Sequence, residues 1–185
     1  MDTNADHNLI SRCREGDEEA WRQLLTRYEA YVYRLCYKIS GSREDALDLT
    51  QEALLKVLTG LARFQPGLPF KPWLLRIAVN RCLNEQRRRA PQTVPFGPGH
   101  DPACQGPTPE GTAMRRDTQS AIRQAIAALE DDQRLAVMLR YFAGLSVPDI
   151  AAVLSCPEGT VKSRLHRALA QLRVHLQELD VSLSR

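Results

Sequence analysis

The spacing of apolar side chains along the first ninety residues predicts a series of amphipathic helices. A long helix is indicated by apolar residues that recur mostly in steps of three and four, at Trp21, Leu24, Leu25, Tyr28, Val32, Leu35 and Ile39. This is the period of one helical face. A shorter helix is expected before it, ending near Gly16. Two further helices are predicted over about 43–62 and 71–89, with Pro72 tolerated because it lies in a first turn.

The hydrophobic period disappears after Arg89. The stretch 90–116 holds six of the eleven prolines and four of the ten glycines of the chain. Such a composition is typical of a linker between domains. We therefore expect an all-α protein of two small helical domains, covering 1–89 and 117–185, joined by a Pro/Gly-rich linker over 90–116.

Helical patterns resume in the second domain, where the last two helices are the most informative. Ser146 and Asp149 have the spacing of a capping box, with Pro148 in the first turn of the helix that they begin. A short turn over 155–159 leads to the last helix. Its apolar face is predicted to consist of Val161, Leu165, Ala168, Leu169, Leu172 and Leu176.

Basic side chains cover the opposite face of that last helix. The stretch 161–175 contains no acidic residue, and Lys162, His166 and Arg167 point away from the apolar side. Two helices joined by a short turn, the second basic outside and apolar inside, indicate a helix-turn-helix. An ordinary helical hairpin with a solvated charged face is the alternative. A face of one charge favours DNA, since it repels itself unless a polyanion lies beside it.

The distribution of charge along the chain is more informative about binding partners than the net charge of +3. Acidic residues gather at 16–19 and 43–52, and basic residues at 86–89 and 161–175. This segregation is typical of a protein that meets nucleic acid with some faces and another protein with others.

Several protein classes have no support in the sequence. The chain has no run of about 20 apolar residues and no signal-peptide pattern, so we expect it in the cytoplasm, with its five cysteines reduced. We expect no metal site and no cofactor. The sequence offers no paired carboxylates in a credible cleft, no Ser/His/Asp order and no phosphate-binding glycine loop, so an enzyme is not expected.

Three stretches together carry a family resemblance. They read ALDLTQEALLKVL (46–58), FQPGLPFKPWLLRIAVNRCLNEQRRR (64–89) and GLSVPDIAAVLSCPEGTVKSRLHRALAQLR (144–173). In this order they resemble regions 2.2, 2.3–2.4 and 4 of the extracytoplasmic-function (ECF) sigma factors of bacteria. The resemblance implies a promoter-specificity subunit that binds core RNA polymerase, recognises −35 and −10 elements and promotes open-complex formation.

The resemblance implies that the D-L-x-Q-E helix docks on the β′ clamp of the polymerase. The residues expected to bind core polymerase are Leu47, Asp48, Gln51, Glu52, Leu55 and Leu58. The polar three could pair with basic clamp residues and the leucines supply apolar contact. The β flap and an anti-sigma factor are further partners implied by the resemblance alone.

The resemblance also implies that the loop before the W-L-x-R-I-A-x-N helix captures an unstacked −10 base. The expected −10 residues are Phe64, Lys71, Arg76, Asn80, Arg81, Arg87 and Arg88. Aromatic faces supply about 1–3 kcal/mol per stacked base. Phe70 and Trp73 are expected in the core instead, and the sequence leaves Phe64 open between core and base contact.

The last helix is expected to enter the major groove of the −35 element. The matching residues are Thr160, Lys162, Ser163, Arg164, His166 and Arg167. The sequence leaves open which of them read base edges and which neutralise phosphates.

The linker bears on how the two promoter elements are reached together. About 27 residues span at most about 90–97 Å, and the elements lie about 70 Å apart. Bridging therefore requires a drawn-out linker, and in the free protein the domains are hypothesised to collapse together and hide DNA-binding surface. A stand-alone helix-turn-helix repressor or activator is the competing function; it has no need of the D-L-x-Q-E helix beside 64–80.

Overall fold

The computed structural model describes residues 3–89 and 121–183, with side chains over 5–88 and 121–177. Both described parts are helical and contain no strand. The predicted linker over 90–116 lies outside the described residues. Within the described ranges, no helix combines the length and the apolar character that a bilayer span demands.

The first part forms a bundle of four helices. These are α1 (Thr3–Arg14), α2 (Glu18–Ser40), α3 (Arg43–Gly60), which continues into a 3₁₀ turn (Leu61–Arg63), and α4 (Phe70–Arg89). Asp17 caps α2 by accepting from the backbone N–H groups of Glu19 and Ala20, and Gly41 ends it with φ of 73°, the left-handed conformation that glycine adopts without penalty. The helices expected from the apolar spacing are confirmed.

The second part contains four helices in sequence. These are α5 (121–127), α6 (Asp131–Val137), which continues as a π-helical turn (Met138–Phe142), α7 (Val147–Leu154) and α8 (Glu158–Leu183). The capping box predicted at the start of α7 is present, since Ser146 accepts from the Asp149 N–H and the Asp149 carboxylate accepts from the Ser146 N–H. Helices α7 and α8 with the turn between them form the expected helix-turn-helix.

The core of the first bundle is built around α2. Its inward face places Leu24, Tyr28 and Val32 in full burial against α3 and α4. The Tyr28 hydroxyl donates to the carboxylate of Asp6 on α1, and Arg27 pairs with the same carboxylate at 2.7 Å. Burial, followed by the Asp6 carboxylate, raises the pKa of Tyr28. This cluster fixes α1 against α2.

The apolar face predicted for α8 is buried only in part. Val161, Leu165 and Ala168 lie in the core, whereas Leu169 is 45% exposed and Leu176 37% exposed. Since α8 has 26 residues and α7 has 8, their lengths are about 39 Å and about 12 Å. The longer helix extends past the elements that it packs against, so beyond Ala168 its apolar face is covered only in part, with Leu172 still packed against the core.

Candidate polymerase and nucleic-acid surfaces

Helix α3 divides into a buried side and an exposed side. Ala46, Leu49 and Val57 face the core. The six residues expected to bind polymerase all lie on the opposite side and are exposed: Leu47, Asp48, Gln51, Glu52, Leu55 and Leu58. Three exposed leucines on one side of a helix, grouped with polar side chains, make this side a candidate interaction surface. We call these six residues the α3 face.

The α3 face is linked to helix α4 by an ion pair. Arg81 Nη2 contacts Glu52 Oε2, and the Arg81 side chain is only 27% exposed. The structure thus brings together one residue expected to bind polymerase and one expected to bind DNA.

Phe64 lies in the aromatic core of the first bundle. It is 3% exposed and Phe70 is 2% exposed. The two rings meet edge to face with centroids 5.6 Å apart, and Trp73 lies 5.1 Å from Phe64. In this arrangement the Phe64 ring has no free face for a base. The stacking role expected of it stays a prediction that requires the ring to leave this cluster.

The segment after Phe64 forms a tight turn. Leu68 N donates to Gln65 O at 3.4 Å, and Gly67 has φ of +86°. A Pro-Gly pair at the two central positions, with positive φ at the glycine, is the signature of a type II turn. Leu68 is 50% exposed at its end. The turn therefore presents one apolar side chain to solvent on a defined backbone.

Helix α1 holds this turn in place. Arg14 Nη2 donates to the Phe64 carbonyl and, at 3.2 Å, to the Leu61 carbonyl. His7 Nε2 lies 3.1 Å from the Leu68 carbonyl oxygen. Neither Arg14 nor His7 was predicted from the sequence to contact this turn. The Pro-Gly pair predicted a turn, but nothing near Arg14 indicated a partner fifty residues away.

The other residues expected to bind the −10 element lie on α4 and differ in their contacts. Asn80, Arg87 and Arg88 are exposed on α4. Lys71 lies over the Tyr31 ring, 4.4 Å from its centroid. Arg76 is exposed and donates a hydrogen bond to Ser155 of the second domain.

The two domains meet along a seam. Helix α4 packs on α7, the Tyr31 hydroxyl donates to the Ala143 carbonyl at 2.7 Å, and Arg76 Nη2 donates to Ser155 Oγ at 3.1 Å. Lys38 Nζ lies 4.3 Å from the centroid of the Phe142 ring. A cavity of about 130 Å³ at this boundary is lined by Tyr31, Arg34, Leu35, Lys38, Phe142 and Ala143. Part of the expected −10 surface is therefore engaged by the second domain.

The expected −35 residues lie at the start of α8. Lys162, Ser163, His166 and Arg167 are exposed, and Thr160 is half-buried. Ser163 Oγ donates to the Thr160 carbonyl at 2.9 Å. The exposed members form one face on the side opposite the core.

Arg164 differs from the other expected −35 residues. Its side chain is 21% exposed, and its guanidinium pairs with the carboxylate of Asp132 on α6. Arg164 Nη1 also lies 3.8 Å from the Cys156 sulfur. In this structure Arg164 connects α8 with α6 and with the turn before α8.

Models of two protein families match the chain. "Sigma-70 region 2" matches residues 24–92, and "Sigma-70, region 4" matches residues 119–172. The first range contains the α3 face, the 65–68 turn and the whole of α4. The second contains α7, the turn after it and α8 as far as residue 172.

Full-length relatives are similar over nearly the whole chain. RNA polymerase sigma-H factor of Pseudomonas aeruginosa is 33% identical, over 94% of this chain and 95% of the relative. ECF RNA polymerase sigma factor SigW of Bacillus subtilis is 30% identical, over 92% and 96%. ECF RNA polymerase sigma-E factor of Escherichia coli K12 is 33% identical, over 94% and 95%.

Two solved structures share the arrangement of helices. The sigma factor RpoE, in complex with the anti-sigma factor NepR from Bartonella quintana, is 26% identical, with a TM-score of 0.67 over 84% of this chain and 96% of that one. CnrH, in complex with the cytosolic domain of CnrY, has a TM-score of 0.71 over 94% and 98%; at 24% identity this is a likeness of fold alone.

Proposed function

The chain belongs to the extracytoplasmic-function sigma factors, the promoter-specificity subunits of bacterial RNA polymerase, and we propose a division of that work between its two domains. The first domain docks on core polymerase through the α3 face and engages the −10 strand with the 65–68 turn and α4. The second reads the −35 duplex with α8. The exposed α3 face carries the proposal, because a stand-alone DNA-binding regulator has no use for it.

Docking combines apolar burial with charge. Leu55 is 60% exposed and Leu47 46% exposed, and covering such side chains is favourable at about 25 cal/mol per Å² of apolar surface. Asp48 and Glu52 lie one turn apart and offer carboxylates to basic groups of the clamp. Gln51 lies beside them and can donate as well as accept.

The −10 strand is engaged by groups on α4 and the turn before it. Arg87 and Arg88 neutralise phosphates, and the Asn80 amide offers both a donor and an acceptor to a base edge. The type II turn keeps Leu68 in place before DNA arrives, which reduces the entropy lost on binding.

The −35 duplex is read by the outward face of α8. Arg167 and Lys162 are suited to guanine edges or phosphates. His166 adds a further donor on the same face.

Engaging both elements requires the seam to open. The −10 and −35 elements lie about 70 Å apart, whereas α4 and α7 are in contact in this structure. The contact supports the hypothesis that the free domains collapse together. We propose that polymerase draws them apart, and that an anti-sigma protein is a further partner, since RpoE forms a complex with the anti-sigma factor NepR.

The cellular setting follows from this role. We place the protein in the cytoplasm, where core polymerase works, and assign all bond chemistry to the polymerase. The sigma factor itself is not an enzyme in this proposal.

In vitro transcription tests the proposal. The chain is added to sigma-free core polymerase on fragmented genomic DNA of its host, and RNA starts are sequenced. We expect starts that share two spaced upstream motifs and vanish with Asp48→Ala/Gln51→Ala. Lys56→Ala, an exposed change on the same helix, is the matched control and should retain them.

The opposite result would identify the competing function. No starts, together with tight binding to duplex DNA without polymerase, would favour a repressor or activator.

A further inference from the structure

The ion pair between Glu52 and Arg81 joins the α3 face to the helix expected to hold DNA. We propose that Arg81 is a positioning residue for polymerase docking: it fixes the Glu52 carboxylate on the α3 face and does not contact DNA. This inference rests on the proposed docking role of α3, and it departs from the expectation that Arg81 binds the −10 strand.

The burial of Arg81 separates it from the basic residues that face solvent. Its side chain is 27% exposed, whereas Arg76, Arg87 and Arg88 are exposed on the same helix. The Arg81 Nε is buried and finds no acceptor among the described residues. The guanidinium therefore lies between α3 and α4, with Nη2 engaged by Glu52 and Nε enclosed, so fewer of its N–H groups are free to meet a phosphate than on the exposed arginines of α4.

Glu52 can bind a polymerase residue while it is paired with Arg81. Its side chain is 47% exposed, so the carboxylate is anchored on one side and open to a partner on the other. An ionised carboxylate has about four lone-pair sites. It can accept from Arg81 and from a basic clamp residue at the same time.

Arg81 also offsets a repulsion within the α3 face. Asp48 and Glu52 are one helical turn apart, where like charges destabilise a helix, and both are exposed. A cation beside Glu52 reduces this repulsion and lets the two carboxylates stay ordered side by side. Such preorganisation reduces the cost of immobilising Glu52 when the clamp binds.

The test separates affinity for polymerase from affinity for DNA. Arg81→Met retains an apolar stem between the helices and removes the charge. For each full-length variant, the Kd for core polymerase is measured by fluorescence competition. The Kd of the saturated holoenzyme for a fluorescent −10 single strand, selected from the mapped starts, is measured separately.

We expect Arg81→Met to weaken core binding about 2- to 12-fold and to leave strand affinity within about twofold. Arg81→Lys, which keeps the charge but loses the planar fork, should recover part of the core affinity. In a Glu52→Gln background, Arg81→Met should cause little further loss, because the group that it positions has already been changed.

Two further arginine variants are controls for Arg81→Met. Arg87→Met removes an exposed α4 cation and should show the reverse split, with weaker strand binding and unchanged core binding. Arg43→Met removes an exposed cation at the start of α3 and controls for net charge, with neither affinity changed.

Each contrary outcome has a distinct meaning. Unchanged core affinity with weakened strand binding would show that Arg81 contacts DNA and overturn the inference. If wild-type protein fails to bind core polymerase at all, the proposed function itself fails. Circular dichroism checks folding, and if Arg81→Met does not fold, Arg81→Lys decides: core affinity equal to wild type with reduced strand affinity would overturn the inference.

Discussion

The two domains present the residues expected to bind DNA in opposite ways. In the second domain, four of the residues expected to meet the −35 element are exposed on one face of α8. In the first, the residues expected to meet the −10 element are dispersed: Phe64 is in the core, Arg81 is paired with Glu52, and Arg76 touches the other domain.

The difference follows from how many neighbours each helix has. The start of α8 packs on α6 and α7 and leaves its outer side free, whereas α4 contacts α1, α2, α3 and α7. When a helix packs on one side only, the period of its apolar residues shows which side chains face solvent. When a helix is enclosed on several sides, its polar residues also contact neighbouring helices, so the period does not show which of them are exposed.

Among the variants that test this difference between the domains, one that removes the Phe64 ring should produce the largest change in free energy. We expect Phe64→Ala to lower the free energy of unfolding by about 3–5 kcal/mol, the usual cost of truncating a buried phenylalanine. Urea denaturation measures it. Leu68→Ala, in the exposed turn, is the control and should stay within about 0.5 kcal/mol of wild type. A Phe64→Ala protein as stable as the control would mean that the ring is free to meet a base.

Removing one cation from the displayed face of α8 should have the next largest effect. We expect Arg167→Ala to weaken binding to a −35 duplex by about 1–3 kcal/mol if the side chain reads a base. Fluorescence anisotropy with holoenzyme measures it. Arg173→Ala, exposed further along α8, provides the comparison. Equal losses for both would place Arg167 outside the reading face.

Weakening the seam should shift the balance between closed and open domains. Tyr31→Phe removes the hydrogen bond to Ala143, which contributes about 0.5–1.5 kcal/mol. The closed form should lose about 2- to 12-fold in population relative to the open form. Energy transfer between one dye on each domain reports it, with Tyr141→Phe, an exposed tyrosine, as control. Identical transfer in both variants would show that Tyr31 does not hold the seam.

The smallest expected effect is a change in folding stability at low pH, caused by Asp17 between α1 and α2. The Ala20 N–H and then the Arg12 guanidinium hold the pKa of Asp17 below its usual 3.8. Because the folded-state pKa is the lower one, this stabilisation is present above pH 3.8 and is lost as the pH falls through the folded-state value.

Urea midpoints measured from pH 5 to pH 2 test this dependence. The wild-type protein should lose its advantage over Asp17→Asn as the pH falls. Ser11→Ala, an exposed change on α1 that removes no carboxylate, should keep a constant offset from wild type. A constant offset for Asp17→Asn as well would contradict the assigned cause.

Local patterns in the sequence were enough to predict the helices, the cap of α7 and two outward-facing candidate surfaces. Periodicity and capping are local, so they predicted the long helix α2 and the capping box of Ser146 and Asp149. They also placed the α3 face and the basic face of α8 outward, because each of these surfaces repeats along one helix.

Which side chains distant in sequence meet each other depends on tertiary packing. Arg14 binds the Phe64 carbonyl fifty residues away, and Tyr31 binds the Ala143 carbonyl 112 residues away. A local pattern carries no record of such partners. Whether Phe64 and Arg81 served the core, a neighbouring helix or DNA therefore depended on the packing of the bundle.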